Sequence, residues 1–367
     1  MPEKSGGHVA IISVSWDTAV VSFSLARMSH VTIENVSPEK AILTESVEKS
    51  TVGRLSMAPL SPETEYEVVV RWEDGSTRLR FATLPAPRGP LLCSFAAVAD
   101  THVSLKPENR KGRLFMESAS ILLDLVEKFN RENLDFVLIA GDLTDMGTPQ
   151  EYETVAAILE QLTCPCLAVP GDHDVLGNGT LHWQRNFGQR SWCRDIKGYH
   201  IIGIDTSRGA LGADGRAMLE ANWRGGEAAR ILVSHHQLFP DDYISGANKK
   251  SIADFATQKV FLKGLFQEPV LVYAGHQNVP SRARMENALQ VNLPQPVQFP
   301  CGYLLVRQYS NGFYHTFTPI HSAVLDDYSR VASEMAAEAY GEPQWREAYR
   351  AGKGPGESNF LHPLPPG

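Results

Sequence analysis

Cysteine is scarce and odd in number: Cys93, Cys164, Cys166, Cys193 and Cys301 are the five in 367 residues. An odd count does not pair into a disulfide framework, and several of the five fall in apolar runs, so they read as reduced core residues of a cytoplasmic protein. The close pair Cys164-Pro165-Cys166 lacks the two-residue spacer of a metal or redox C-x-x-C and reads as packing. Long hydrophobic runs are missing too. No stretch approaches the roughly 18–20 apolar residues of a membrane helix. Met1-Pro2-Glu3-Lys4-Ser5 leads into a run broken by Ser and then by Asp17, which has the pattern of neither signal peptide nor anchor. Positive charge is not in excess: 34 Lys and Arg stand against 42 Asp and Glu, a net charge of −8. That balance argues against a protein that grips nucleic acid through overall charge. What remains is a soluble globular composition, 43% hydrophobic and 21% charged, in a chain too long for one ordinary core, so two domains are expected.

Phe136-Val137-Leu138-Ile139-Ala140 is an unbroken apolar run bounded by Gly141, the pattern of a strand buried on both faces, and Asp142 follows its C-terminal end. In open α/β sheets ligands sit at such ends. The pattern recurs. Leu91 to Ala99 leads into Asp100-Thr101-His102, Pro165 to Pro170 into Gly171-Asp172-His173-Asp174, Ala229 to Ser234 into His235-His236, and Pro269 to Ala274 into Gly275-His276-Gln277-Asn278. One Asp after a strand would mean little, because short loops are polar anyway. Five strand ends that each deliver a metal-ligand residue type point to one site built from all of them.

Residues 9–84 read as all-β. Val21, Phe23 and Leu25 alternate with serines, Tyr66, Val68, Val70 and Trp72 alternate with Glu67, Val69 and Arg71, and Asp74-Gly75 supplies a hairpin turn. The segment Leu60-Ser61-Pro62-Glu63-Thr64-Glu65-Tyr66-Glu67-Val68 resembles the corner-tyrosine stretch of a fibronectin type III domain, which implies a small all-β sandwich over residues 1–86. Its expected role is that of a spacer or packing partner; His8 and His30 are isolated. Leu84-Pro85-Ala86-Pro87-Arg88-Gly89-Pro90 is a linker by composition. From Leu91 strands alternate with helices. Ile121, Leu122, Leu125, Val126 and Phe129 mark one amphipathic helix, Pro149 to Leu162 a second and Ala213 to Trp223 a third, with a strand at Tyr199 to Asp205. Strands at Leu289 to Leu293, Tyr303 to Arg307 and Phe313 to Phe317 are expected to finish the α/β sheet in antiparallel fashion. Residues 323–367 form a last segment: a docking helix striped by Leu325, Tyr328, Val331, Met335 and Ala339, extended by Trp345 and Tyr349, then a Gly/Pro-rich tail expected to fray.

Paired metals need several oxygen and imidazole ligands converging from different strands, one carboxylate bridging. The order Asp-x-His, Gly-Asp-x-x-Asp, Gly-x-His-Asp, His-His, Gly-His resembles the calcineurin-like metallophosphoesterases, and the resemblance defines a catalytic domain over residues 91–322. It implies a β-sandwich flanked by helices, with two divalent metal ions at the strand ends. Asp100, His102 and Asp142 are implied for the first ion; Asp142, Asp172, His235 and His276 for the second. His173 would face the phosphate and the leaving oxygen, with Asp174 holding its tautomer, while a metal-bridging hydroxide attacks phosphorus. His236 either touches substrate or fills space behind the ligand.

Two positions depart from the family pattern. Asp172 stands where Asn is usual, and Asn278 where a last His is usual, so Asn278 offers the first ion at best an amide oxygen. Oxygen-preferring ions such as Mn²⁺ thereby become relatively better suited; the expected pair is Mn²⁺ or Fe²⁺, with Zn²⁺ or Mg²⁺ as the alternatives. Asp145 stands where purple acid phosphatases carry a tyrosine, so the chain looks more like the phosphodiesterase branch of the family. Lys106, Arg110, Lys111 and Arg113 either neutralise a phosphate or form a solvated loop, and His182 with Trp183 either lines a pocket or packs. The expected activity is metal-dependent hydrolysis of a small-molecule phosphoester, more in the manner of a phosphodiesterase than of a phosphomonoesterase. The alternative is a binding or scaffold protein that kept the fold after weakening its metal chemistry.

Overall fold

The computed structural model describes residues 7–36, 45–223, 230–241, 251–277, 279–339 and 357–364. The N-terminal region is all-β: β1 (His8–Val14), β2 (Ala19–Asn35), β3 (Glu45–Met57), β4 (Glu65–Trp72) and β5 (Gly75–Ala82). Its five strands are hydrogen-bonded as one continuous sheet. The long β2 pairs with β1 through residues 19–24 and with β4 through residues 32–35, so the sheet folds about β2. The alternation read from the sequence is the burial pattern: Val21, Phe23, Leu25, Val31, Ile33, Tyr66, Val68 and Val70 share one core.

Two further sheets follow. The elements run β6 (Cys93–Val98), α1 (Ser118–Arg131), β7 (Phe136–Ala140), α2 (Pro149–Leu159), β8 (Cys166–Val169), α3 (Gly179–Asn186), β9 (Trp192–Ile196), β10 (Tyr199–Ile204), α4 (Gly212–Asn222) and β11 (Arg230–Ser234). They continue with α5 (Phe255–Leu265), β12 (Val270–Ala274), β13 (Ser281–Met285), β14 (Ala288–Asn292), β15 (Gly302–Tyr309), β16 (Gly312–Pro319), α6 (Ala323–Ala339) and β17 (Phe360–Pro363). One sheet has the order β17-β16-β15-β6-β7-β8 and the other β13-β14-β12-β11-β10-β9. Their inner faces meet in a core that takes Phe95, Leu138 and Val169 from the first and Ile201, Val233, Tyr273 and Val291 from the second. Alternate residues of the same strands face outward and pack under α1 and α2 on one side, and under α4 and α5 on the other. Strands covered on both faces need no polar alternation, which is why β6, β7, β10, β11 and β12 are buried along their whole length. The start of α2 is fixed locally: Pro149 occupies the first turn, and Thr148 with Glu151 forms a reciprocal capping box.

Two expectations are corrected and one strand is added. β14 joins β12 in parallel, not antiparallel, because β13 rather than β14 takes the antiparallel edge. β9, with its charged Arg194 and Asp195, is an edge strand that the sequence pattern had not disclosed. The tail does not simply fray, since Phe360 to Pro363 pairs antiparallel with β16. Asn359 anchors that strand: its Oδ1 accepts from Val14 N (3.2 Å) and Phe317 N (2.9 Å), and its Nδ2 donates to Ile12 O (3.3 Å). The N-terminal sheet is held further by Arg54, which donates to Ile320 O and pairs with Asp326, and by Trp16, edge-on to Tyr309 and Tyr314. Trp345 and Tyr349 lie outside the described residues. No helix among the described residues is long and apolar enough to cross a membrane.

Candidate metal centre

β6, β7 and β8 run parallel in one sheet, and β11 and β12 run parallel in the other. Their C-terminal ends meet at one edge of the sandwich. Ligand atoms of Asp142, Asp172, His235 and His276 lie within 4.8 Å of one another, as do those of His102, Asp142 and His173. Asp142 belongs to both groups. His235 Nε2 is 3.0 Å from Asp172 Oδ1 and 3.4 Å from Asp142 Oδ2, and His276 Nδ1 is 3.2 Å from Asp172 Oδ1. On the other side His102 Nε2 faces Asp142 Oδ2 at 3.5 Å and Asp100 Oδ1 at 3.6 Å.

The backbone is bent to make this possible. Asp100, His102, Asp142 and His276 all have positive φ, between 38° and 64°, a region that non-glycine residues rarely occupy and that costs about 1–3 kcal/mol each. Main-chain bonds hold the first three there: Asp100 N donates to Gly141 O, His102 N to Asp142 O and Val103 N to Leu143 O, each at 2.9 Å. The glycines of the motifs make room. A Cβ on Gly171 would collide with the Asp142 carboxylate, and one on Gly275 would stand 2.7 Å from both Asp100 Oδ2 and Ala140 O.

Electrostatics favour a cation. Burial pushes the Asp172 carboxyl up, but hydrogen bonds from His235 and His276 outweigh it and hold the group well below the usual carboxylate range. Asp100 is likewise lowered against its burial, by His102, His235 and His276. Asp142, fully buried beside Asp100, Asp172 and Asp174, is raised. Burial lowers His235, yet Asp142, Asp172 and Asp100 carry it up to about 10, so in the ion-free protein a proton sits where carboxylates converge. His235 Nδ1 meets Ala140 O at 2.9 Å; a carbonyl only accepts, so Nδ1 carries the hydrogen and Nε2 is the atom turned to the cluster. His102 is lowered to about 3 by burial and by Arg113, and both its ring nitrogens are buried without a hydrogen-bond partner. A neutral imidazole facing two carboxylates with no hydrogen bond fits a divalent cation.

Of the sequence-derived site residues, Asp100, His102, Asp142, Asp172, His173, His235 and His276 come together, and Asn278 lies outside the described residues. Asp174 is corrected. Its carboxylate turns away from the His173 ring and accepts from Leu143 N, Thr144 N, Thr144 Oγ1 and Gly171 N at 2.8–3.2 Å, which ties the two motif loops together. The ring of His173 is oriented instead by Asp145, whose carbonyl oxygen is 2.6 Å from Nδ1 and whose carboxylate Oδ1 lies 3.6 Å away. Asp145 is wholly buried and pairs with Lys106 Nζ at 2.7 Å, so Lys106 is neither a free phosphate binder nor a solvated loop residue. The second Asp of Gly-Asp-x-x-Asp was the available signal for this role.

His236 is buried, its ring 4.1 Å from that of His276, its Nδ1 without a partner, and burial with the nearby histidines lowers it to about 3. Thr206, unnoticed in the sequence, supports both histidines: its Oγ1 accepts from His235 N and His236 N. Trp183 is core, packed on Phe187.

A buried two-cluster centre at the strand ends of a helix-flanked sandwich is the layout of a metal-dependent hydrolase. The chain matches the calcineurin-like phosphoesterase family over residues 93–299. It belongs to that family, whose members bind dinuclear metal centres and hydrolyse phosphoesters. A probable cyclic nucleotide phosphodiesterase of Vesicomyosocius okutanii is 25% identical over 169 residues, 43% of this chain and 70% of the relative. A glycerophosphodiester phosphodiesterase of Enterobacter lignolyticus is 35% identical over 81 residues, 22% of this chain and 28% of the relative. Among solved structures, a dimetal phosphatase from Danio rerio aligns with a TM-score of 0.49 and 12% identity over 62% of this chain and 96% of its own.

Proposed function

We propose that the chain hydrolyses small-molecule phosphodiesters, with Asp100, His102 and Asp142 on one divalent ion and Asp142, Asp172, His235 and His276 on a second. The observation that carries this reading is the place of Asp142 in both ligand clusters. Two bound ions would supply Lewis acidity toward the phosphoryl oxygens and activate water near neutral pH. The chain's residues do the rest. Asp142 keeps the two clusters in register, and Asp100 accepts from His276 N (3.0 Å), which locks the first ligand loop to the last. His173, its side chain 30% exposed and its ring edge-on to His102, points Nδ1–H at Asp145; taking a second proton on Nε2 from solvent, it would pass that proton to the departing alkoxide and return to the neutral imidazole.

The mixed set of three carboxylates and three imidazoles suits Mn²⁺ or Fe²⁺, between the all-oxygen sites of Mg²⁺ and the imidazole-rich sites of Zn²⁺. The diester preference draws support from the activities for which the two relatives are named. We read residues 1–86 as fibronectin type III-like, 91–322 as catalytic, and 323–367 as a segment that returns β17 to the catalytic sheet. The first assignment is supported by Tyr66, whose hydroxyl accepts from Ser61 N at 2.7 Å in the manner of a tyrosine corner. The five free cysteines agree with a reducing cytoplasm. The test is Asp142→Asn: bound metal by elemental analysis and hydrolysis of bis(p-nitrophenyl) phosphate should both be lost. Retained turnover would remove the shared-carboxylate centre from consideration.

A further inference from the structure

Outside the metal centre, β9 and β10 bring a thiol, an imidazole and a carboxylate together. Their antiparallel register sets Asp195 opposite His200 and Cys193 opposite Ile202, so the three side chains share the face that packs under α4. His200 is buried, with Nδ1 2.6 Å from Asp195 Oδ1 and Nε2 2.7 Å from the carbonyl oxygen of Asn222, the last residue of α4. Cys193 Sγ rests against the ring, 3.4 Å from Nε2 and 3.7 Å from Nδ1. It is half-buried on an edge strand, within reach of a small reagent.

The arrangement calls for one hydrogen more than a neutral imidazole has. A carbonyl oxygen and a carboxylate both only accept, and a neutral ring has a single N–H, so either tautomer leaves a lone pair pressed against an oxygen. The doubly protonated ring satisfies both contacts, and it places positive charge at the C-terminus of α4, where a helix favours it. The thiol of Cys193 stands beside Nε2 and can give up the missing proton, which leaves a thiolate next to the cation so formed. Arg230, opposite His200 on β11, is neutralised by its pair with Glu268. The other four cysteines are held as thiols: burial pushes Cys93 and Cys166 up to about 12 and raises Cys164 and Cys301 as well.

We propose that Cys193, with His200 and Asp195 behind it, is a modification site: a reactive thiolate that peroxides oxidise to a sulfenic acid. The sulfur attacks one peroxide oxygen, an S–O bond forms and the O–O bond breaks, and the departing hydroxide takes the proton from Nε2 and leaves as water. The thiol loses two electrons and the peroxide gains them. The site shares no residue with the metal centre and stands whether or not the diesterase reading holds.

The test treats the full chain with limiting iodoacetamide near neutral pH and reads each of the five cysteines by peptide mass spectrometry, in wild type, Asp195→Asn and His200→Gln. Cys193 of the wild type should react at least about tenfold faster than any other cysteine, at a rate nearly level between about pH 6 and pH 8, as a preformed thiolate does. Glutamine at 200 can still donate to Asn222 O but takes no proton, so in His200→Gln the Cys193 rate should fall and climb about tenfold per pH unit, as for an ordinary thiol. Asp195→Asn should fall between the two. Hydrogen peroxide followed by dimedone should tag Cys193 ahead of the other four. A Cys193 no faster than its fellows, a rate that His200→Gln leaves unchanged, or no dimedone tag at Cys193 would overturn the proposal. If His200→Gln does not fold, by circular dichroism, the wild-type profile decides alone, and a tenfold climb per pH unit overturns it.

Discussion

Asp174 distinguishes a residue that holds two loops from one that tunes a catalytic histidine. Its Oδ1 accepts from Thr144 N and Thr144 Oγ1 and its Oδ2 from Leu143 N and Gly171 N, and the side chain is fully buried. In Asp174→Asn the amide nitrogen is best placed toward Thr144, whose hydroxyl can turn to accept. Thr144 N is then left unpaired, at about 1–3 kcal/mol. The bonds from Leu143 N and Gly171 N survive but lose charge assistance, about 0.5–1 kcal/mol each. The sum is about 2–5 kcal/mol, which at an m of about 3 kcal/mol/M lowers the urea midpoint by roughly 0.7–1.7 M. The assay is urea unfolding of the metal-stripped protein followed by far-UV circular dichroism, beside His173→Ala, which should leave the midpoint nearly in place and remove turnover. An Asp174→Asn protein of wild-type stability that loses turnover as His173→Ala does would refute this reasoning and return Asp174 to the ring of His173.

Other outcomes are expected from the same geometry. Gly275→Ala places a Cβ against Asp100 and Ala140, and should cost about 1–3 kcal/mol and lower metal occupancy measured by elemental analysis. Asn359→Ala removes three bonds that tie β1 and β16 to the last strand, and should cost about 1–3 kcal/mol and speed proteolytic cleavage of the C-terminal segment. His235 has a folded pKa of about 10 against 6.5 unfolded, so in the metal-stripped protein its contribution to stability is complete below about pH 6.5 and fades as pH rises through about 10. Thermal midpoints that rise over that window would contradict this. Loading metal at pH 8 should displace the proton, and calorimetry in buffers of different ionisation enthalpy should register its release.

The site was legible because the covering of the strands on both faces forces continuous apolar runs, and a ligand residue at the end of each run is then conspicuous. Phe136 to Ala140 followed by Asp142 is the clearest case. Side-chain direction was not legible. His173 and Asp174 are adjacent in sequence, but the short 3₁₀ turn over His173–Val175 sends one toward the centre and the other beneath it. Nor could sequence spacing reveal that Asp145 sits between His102 and His173, since that depends on how two loops from neighbouring strands are zipped. The parallel pairing of β14 and the return of Phe360 to Pro363 to β16 are decided by long-range partners: Ala288 to Asn292 and a four-residue strand in a Gly/Pro-rich tail carry no local sign of which edge they will meet.

The central claim is tested most directly by stripping the protein of metal, adding back Mn²⁺, Fe²⁺, Zn²⁺ or Mg²⁺, and measuring hydrolysis of bis(p-nitrophenyl) phosphate beside p-nitrophenyl phosphate. The account predicts turnover only with added metal, faster on the diester, and best with Mn²⁺ or Fe²⁺. Folded protein that cleaves neither ester with any ion, or cleaves them without metal, would contradict it.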